Sequence, residues 1–159
     1  GRLFGGVESD VCFTSGLIHE AGAIALSVNF PTEFAEAQDF AEKNQVGMIV
    51  AENQVLGFSH LEVAGEIMQA WGLPPQLNQI ILQCAEPKIN SMNWEIAGIV
   101  ALAKILASEW GFPSSIKGTT LIERDNLLTL LDISEKKLSQ WESELKKYAE
   151  FALDTIKIL

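Results

Sequence analysis

The amino-acid sequence predicts an all-α fold, a compact multi-helix domain, on three observations. Apolar residues recur at spacings of three and four through most of the chain, no run of strand length alternates apolar with polar, and glycine, proline and capping residues punctuate the periodic segments. The first segment runs from Asp10 to about Val28, with Val11, Leu17, Ile18, Ala21, Ile24, Ala25 and Val28 on one side. Pro31 ends it, because proline cannot donate the backbone hydrogen bond that a helix interior needs. Thr32 offers an N-cap to a second segment with Phe34, Ala37, Phe40 and Ala41 on one face, and a short apolar stretch from Val46 to Leu56 follows, closed by Gly57.

Ser59-His60-Leu61-Glu62 is a capping box, in which the Ser and Glu side chains satisfy backbone donors left over at a helix start. That helix runs to Trp71 and stops at Gly72. Leu73-Pro74-Pro75 starts the next, with proline in the first turn, and it reaches Cys84 or Ala85 before Glu86-Pro87. Asn93 is expected to cap a long central helix carrying Ile96, Ile99, Val100, Ala103 and Leu106 in one stripe, which ends at Trp110-Gly111 with Pro113 beyond. After a Ser/Lys/Gly/Thr connection come a shorter segment, Leu121 to Leu131, and a last helix from Ser134. That helix spaces Leu138, Trp141, Leu145, Tyr148, Ala152 and Ile156 by threes and fours. Periodicity does not say whether its stripe completes the chain's own core or docks on a partner. No internal repeat or low-complexity tract interrupts the pattern.

At 159 residues, with 48% hydrophobic and 20% charged, the chain can bury a core without disulfides or metal staples and is unlike a disordered one. Its 21 acidic against 11 basic side chains give a formal charge of −10, a mean field that repels phosphate backbones and anionic headgroups, so neither nucleic acid nor a membrane is expected as partner. Lys136, Lys137, Lys146 and Lys147 interleave with Glu135, Glu142, Glu144 and Glu150 and read as a solvated helix face. Cys12 and Cys84, each in an apolar helical segment, form no spaced framework and suit reduced thiols in a cytoplasm. The most apolar stretch, Ile96 to Ala107, is broken by Lys104 and too short to span a bilayer, and no signal peptide is visible. The chain opens on Gly1 and not on Met, which leaves open a tag remnant or an interior cut of a longer protein.

Candidate chemistry centres on two histidines. His19 stands beside Glu20 inside the first helix, and His60 in the first turn of the capped one. A lone helical histidine is more often structural than ligating, since hydrolytic metal sites need three or more convergent donors. Trp71, Trp94, Trp110 and Trp141 lie at helix ends or on stripes and read as packing residues; Asp132 suits a turn; Cys84 has no cationic neighbour in sequence and reads as an inert thiol. No glycine-rich phosphate loop or serine-centred elbow is present.

Phe13-Thr14-Ser15-Gly16-Leu17-Ile18-His19-Glu20-Ala21-Gly22 resembles the Gly-Leu-Leu-His-Asp-Ile-Gly signature of the HD superfamily of metal-dependent phosphohydrolases. Glu52 through Leu56-Gly57-Phe58-Ser59-His60-Leu61-Glu62-Val63-Ala64-Gly65, followed by Trp71-Gly72-Leu73-Pro74, is similar to the narrower Gly-x-x-His-x-x-x-Gly to Trp-x-Leu-Pro pattern of the HDOD domain, the HD-related output domain of bacterial signalling proteins. The resemblance extends from about Phe13 to Trp110 and implies an HD-superfamily-like core over residues 1–113, with 114–159 a C-terminal helical extension packing on it. It also implies further helices upstream of the His-Asp position, where this chain has a dozen residues before Phe13.

The resemblance allots the superfamily's ligand positions as follows. Its His-Asp pair falls on His19 and Glu20, a later histidine on His60, a His-His pair on Cys84 and Ala85, and the carboxylate of the closing helix on Lys104. An ammonium at a carboxylate position opposes a divalent ion and suits pairing with Glu20. His19, Glu20, His60, Cys84 and Lys104 are therefore expected to be the remnant of an HD site, with no catalytic residue, no metal and no cofactor. The leading expectation is a non-enzymatic regulatory module for signal transduction, working through protein contacts, with a homo-oligomer open. The runner-up is an atypical metal-dependent phosphohydrolase using His19, Glu20, His60 and Cys84 around one ion. A nucleotide-binding sensor without turnover ranks third.

Overall fold

The computed structural model describes residues 8–112, 116 and 122–157, with side chains as far as Phe151. Among the described residues it is all-helical, with nine helices and no strand. They are α1 (Ser9–Ile18), α2 (Ala21–Asn29), α3 (Pro31–Asn44), α4 (Met48–Val55), α5 (His60–Ala70), α6 (Pro75–Gln83), α7 (Trp94–Glu109), α8 (Arg124–Leu130) and α9 (Glu135–Lys157).

The expected first helix is two helices. His19 and Glu20 form a turn between α1 and α2, where the His19 Nδ1–H donates to the Gly16 carbonyl at 2.6 Å. Immediately after the turn α2 crosses α5 so closely that a Cβ on Gly22 would stand 1.9 Å from the His60 carbonyl oxygen and 2.7 Å from the Ala64 nitrogen. Only a residue without a side chain fits there. Thr32 is not a cap: α3 begins one residue earlier, at Pro31, whose ring presets the helical φ of a first position. Asn93 does hold the N-cap position of α7, but in the left-handed region at φ 63°, and its amide bonds Gln76 and Gln79 of α6 and not the α7 backbone.

Other local signals act as read. The Ser59 hydroxyl and Glu62 carboxylate close the capping box on α5, with the Ser59 N–H donating to Glu62 Oε2 at 2.8 Å. Gly57 and Gly72 follow α4 and α5 at φ 82° and 67°, where a Cβ would be strained. The Ser134 hydroxyl accepts from the Lys137 N–H at the start of α9. Pro113, the Ser/Lys/Gly/Thr connection apart from Ile116, Leu121, the boundary at 113/114, and the side chains of Ala152 and Ile156 lie outside the described residues.

Three apolar clusters meet along the chain. One joins α1, α5, α6 and α7 through Cys12, Met68, Ile80, Ile81, Cys84 and Val100. A second joins α2, α3 and α4 through Ala23, Leu26, Phe34, Ala37, Met48 and Ala51. The third packs α8 and the start of α9 on the other side of α7, through Leu102, Leu106, Leu127, Leu128, Ile133 and Leu138. α7 is thus buried on two sides and not along the one expected stripe, of which Ala103 is exposed.

Ser9–Asn29, which spans α1 and α2, is long and apolar enough by length and composition to cross a membrane. It buries Cys12, Ser15, Gly22, Ala23 and Leu26 in the fold and turns Phe13, Leu17, Ile24 and Val28 outward. Trp71, expected among packing residues, is 67% exposed.

Candidate functional site

Five helices bring the candidate residues together. The turn between α1 and α2 supplies His19 and Glu20, the first turn of α5 supplies His60, the end of α6 supplies Cys84, and the middle of α7 supplies Lys104. α4 contributes a residue that the sequence reading did not single out for the site, Glu52.

Glu52 is wholly buried, and His60 is 2% exposed. Glu52 Oε2 accepts the His60 Nδ1–H at 2.6 Å and the His60 backbone N–H at 2.9 Å. One carboxylate oxygen therefore fixes the imidazole and also satisfies a backbone donor in the first turn of α5, where the helix dipole favours negative charge. Among the described residues the other oxygen, Oε1, has no hydrogen-bond partner. In the sequence Glu52 shows as the first residue of the HDOD-like stretch and as an acid inside the apolar run Val46–Leu56, with nothing to mark it as the partner of His60.

His19 reaches solvent: its side chain is 18% exposed and that of Glu20 22%, with His19 Nε2 3.6 Å from Glu20 Oε1. Burial pushes the His19 pKa below its ordinary value, and the Lys104 charge pushes the same way, against the Gly16 hydrogen bond and Glu20. Burial likewise lowers Lys104, opposed by Cys84 and Glu20. Cys84 has the cationic neighbour in space that it lacks in sequence, since Lys104 acts on it. Burial nevertheless outweighs that charge and raises the thiol, whose Sγ contacts the Ile81 carbonyl at 3.0 Å. The thiol reading stands on burial and not on isolation from charge.

In both histidines Nδ1–H is held by a protein oxygen, the arrangement that orients a ligating imidazole with Nε2 as its free nitrogen. Yet among the described residues no three His, Cys, Asp or Glu side chains are placed to hold one metal ion. His19, Glu20 and Lys104 instead edge a cleft of about 530 Å³ between α1 and α7, whose other walls include Cys12, Phe13 and Phe112.

No curated protein and no solved structure matches the chain. The sequence model of the HDOD domain matches residues 2–87, which takes in His19, Glu20, Glu52, His60 and Cys84 and stops short of α7 and Lys104. A match over more than half of the 159 residues, on an all-helical fold, means that this chain belongs to the HDOD domain family.

Proposed function

We propose that this domain is a non-enzymatic regulatory module of signal transduction that acts through protein contacts and keeps a degenerate HD site. The observation that carries the proposal is Lys104, an ammonium drawn into the cleft of His19 and Glu20 and sensed electrostatically by His19 and Cys84. A two-metal centre needs carboxylate and imidazole donors around both ions. The residues present do not fit one: a cation stands where a donor is needed, and a neutral buried thiol is a poor ligand. Bacterial origin and cytoplasmic location are the setting that the family implies for such a module.

Protein contact is supported by the outer side of α1 and α2. Phe13 and Leu17 on α1 and Ile24 and Val28 on α2 are 58–73% exposed, and water-facing apolar patches mark interaction surfaces. From 11 to 32 the one acid is Glu20, so this is also where an otherwise acidic chain can approach another surface with little repulsion.

The orientation of both imidazoles favours the second reading, a one-ion phosphohydrolase on His19, Glu20 and His60. One experiment separates them: elemental analysis after incubation with manganese, iron and zinc and desalting, followed by phosphoester assays with and without chelator. The module reading expects no stoichiometric ion and no chelator-sensitive turnover. A tightly held ion, with turnover lost in both His19→Ala and Glu20→Ala, overturns it.

A further inference from the structure

α7 and α9 do not close on each other. α7 presents a ridge of Ile99, Ala103 and Ala107, and α9 a ridge of Trp141, Leu145 and Ala149, each spaced by four and each about 12 Å long at 1.5 Å per residue. Helices ordinarily interlock such ridges and leave few voids larger than a water molecule. Here three of the six ridge residues are alanine, too short to bridge the gap, and a slot of about 310 Å³ remains. The buried Leu102, Leu106 and Leu138 floor it, and Trp110 stands at the C-terminal end of α7. Both indoles are held from outside the slot's own lining. The Trp110 Nε1–H donates to Glu142 Oε1 at 3.0 Å, Lys146 pairs with that oxygen at 3.1 Å and lies 5.5 Å from the Trp110 ring centre, and the Lys137 ammonium lies 5.1 Å from the Trp141 ring centre. The slot lies wholly beyond residues 2–87, so the family match does not account for it.

We infer that this slot is a binding site for a small neutral aromatic molecule of about two fused rings, seated between α7 and the indoles of Trp110 and Trp141. Among the described residues that line it none is charged, and their only polar side-chain atoms are the two indole N–H groups, which can donate but not accept. A ligand's own donor would find no side-chain acceptor there, and an ionic group would lose its water without gaining a partner, so the ligand is neutral and apolar. Volume sets its size. An apolar cavity of about 150 Å³ takes one benzene, so a slot of about twice that volume takes about two rings, at the lower end of the range that small ligands occupy. Shape and chemistry favour a flat ring system over a globular one, because two facing ridges leave a narrow space and aromatic rings gain from indoles beyond the area they bury. Such a site would give the module an input. It uses none of His19, Glu20 and Lys104, so its failure leaves the non-enzymatic reading untouched, and metal analysis decides that reading separately.

The test titrates the full chain, with its four tryptophans labelled at the indole nitrogen, against naphthalene, 2-naphthoate, 2-naphthylmethylamine and camphor at pH 7.5, read by the indole N–H resonances. Camphor is a ten-carbon neutral bicycle that is not flat. Naphthalene is expected to shift Trp110 and Trp141 saturably, to leave Trp71 and Trp94 in place as internal controls, and to bind at least tenfold more tightly than the two ionised probes or camphor. Ala103→Leu, which fills the slot from the α7 ridge, should weaken naphthalene at least tenfold. Absence of a saturable shift, equal shifts in all four indoles, or any other probe binding as tightly as naphthalene overturns the inference. So does unchanged naphthalene affinity in folded Ala103→Leu. Movement of the Trp110 and Trp141 signals on dilution alone, with a dimer in sedimentation velocity and no response to naphthalene, also overturns it, because a second copy of the chain then covers the slot. If the variant does not fold, the four-probe comparison on the unmodified chain decides alone.

Discussion

Replacing Gly22 by alanine tests the closest contact in the fold, and even the sign of the result is informative. In a helix interior the change should stabilise by about 1 kcal/mol, since alanine is the better helix former. Here the new Cβ would stand 1.9 Å from the His60 carbonyl oxygen, whereas even a close carbon–oxygen contact needs about 3.4 Å. Both partners are backbone, so no side chain can swing away, and α2 and α5 must part by about 1.5 Å. A gap of 0.5–1 Å already forfeits roughly a quarter to a half of a dispersion contact. Overpacking on that scale costs about 3–5 kcal/mol, at or above the top of the usual range, which leaves a net loss of about 3 kcal/mol after the propensity gain. For a chain of this size that is a fall in Tm of roughly 6–12 °C. Urea unfolding followed by far-ultraviolet circular dichroism measures it, with Gly16→Ala as control. Gly16 lies in α1 with nothing within 4 Å of its would-be Cβ, so that variant should gain up to about 1 kcal/mol. Equal responses at the two sites, or a stabilised Gly22→Ala, would refute the close crossing of α2 and α5.

Two more perturbations probe the buried pair and the cleft. Glu52→Ala leaves the His60 Nδ1–H and backbone N–H without their shared acceptor and should cost about 3–5 kcal/mol, while Glu52→Gln, which keeps an acceptor oxygen, should cost about 1–2 kcal/mol. Indistinguishable urea midpoints for the two variants would contradict the role given to that oxygen. Because His19 is held below its ordinary pKa of 6.5, facing Lys104, Glu20 and His60, the unfolded chain binds its proton more readily than the folded one below that pH. The His19 contribution is therefore complete above pH 6.5 and is lost as pH falls through the lowered folded value. Stability measured in steps from pH 7 to 5 should fall less steeply in His19→Gln, and an unchanged slope would refute the assignment.

Much of the fold is written locally. The Ser59–Glu62 box, the glycines after α4 and α5, the prolines at the starts of α3 and α6 and the stripe of α7 act within one or two turns of chain, so reading them needs no knowledge of what lies across the interior. The HD and HDOD motifs likewise placed His19, Glu20 and His60, because each motif is itself a helix boundary. Tertiary structure decided the rest. The break at His19–Glu20 is invisible in a stretch whose apolar spacing continues through it, and it precedes a crossing of α2 on α5 set by residues nearly forty positions apart. Glu52 opens the HDOD-like stretch, but only its burial against His60 shows what it holds. Cys84 and Lys104 sit twenty residues apart, so the charge near that thiol could not be seen along the chain; Coulomb interactions depend on distance in space, and burial sets how strongly they are felt. Sequence alone thus determined the all-helical class, most helix boundaries and the family motifs, through interactions that are local. The partners that the motif residues face depend on how the helices pack.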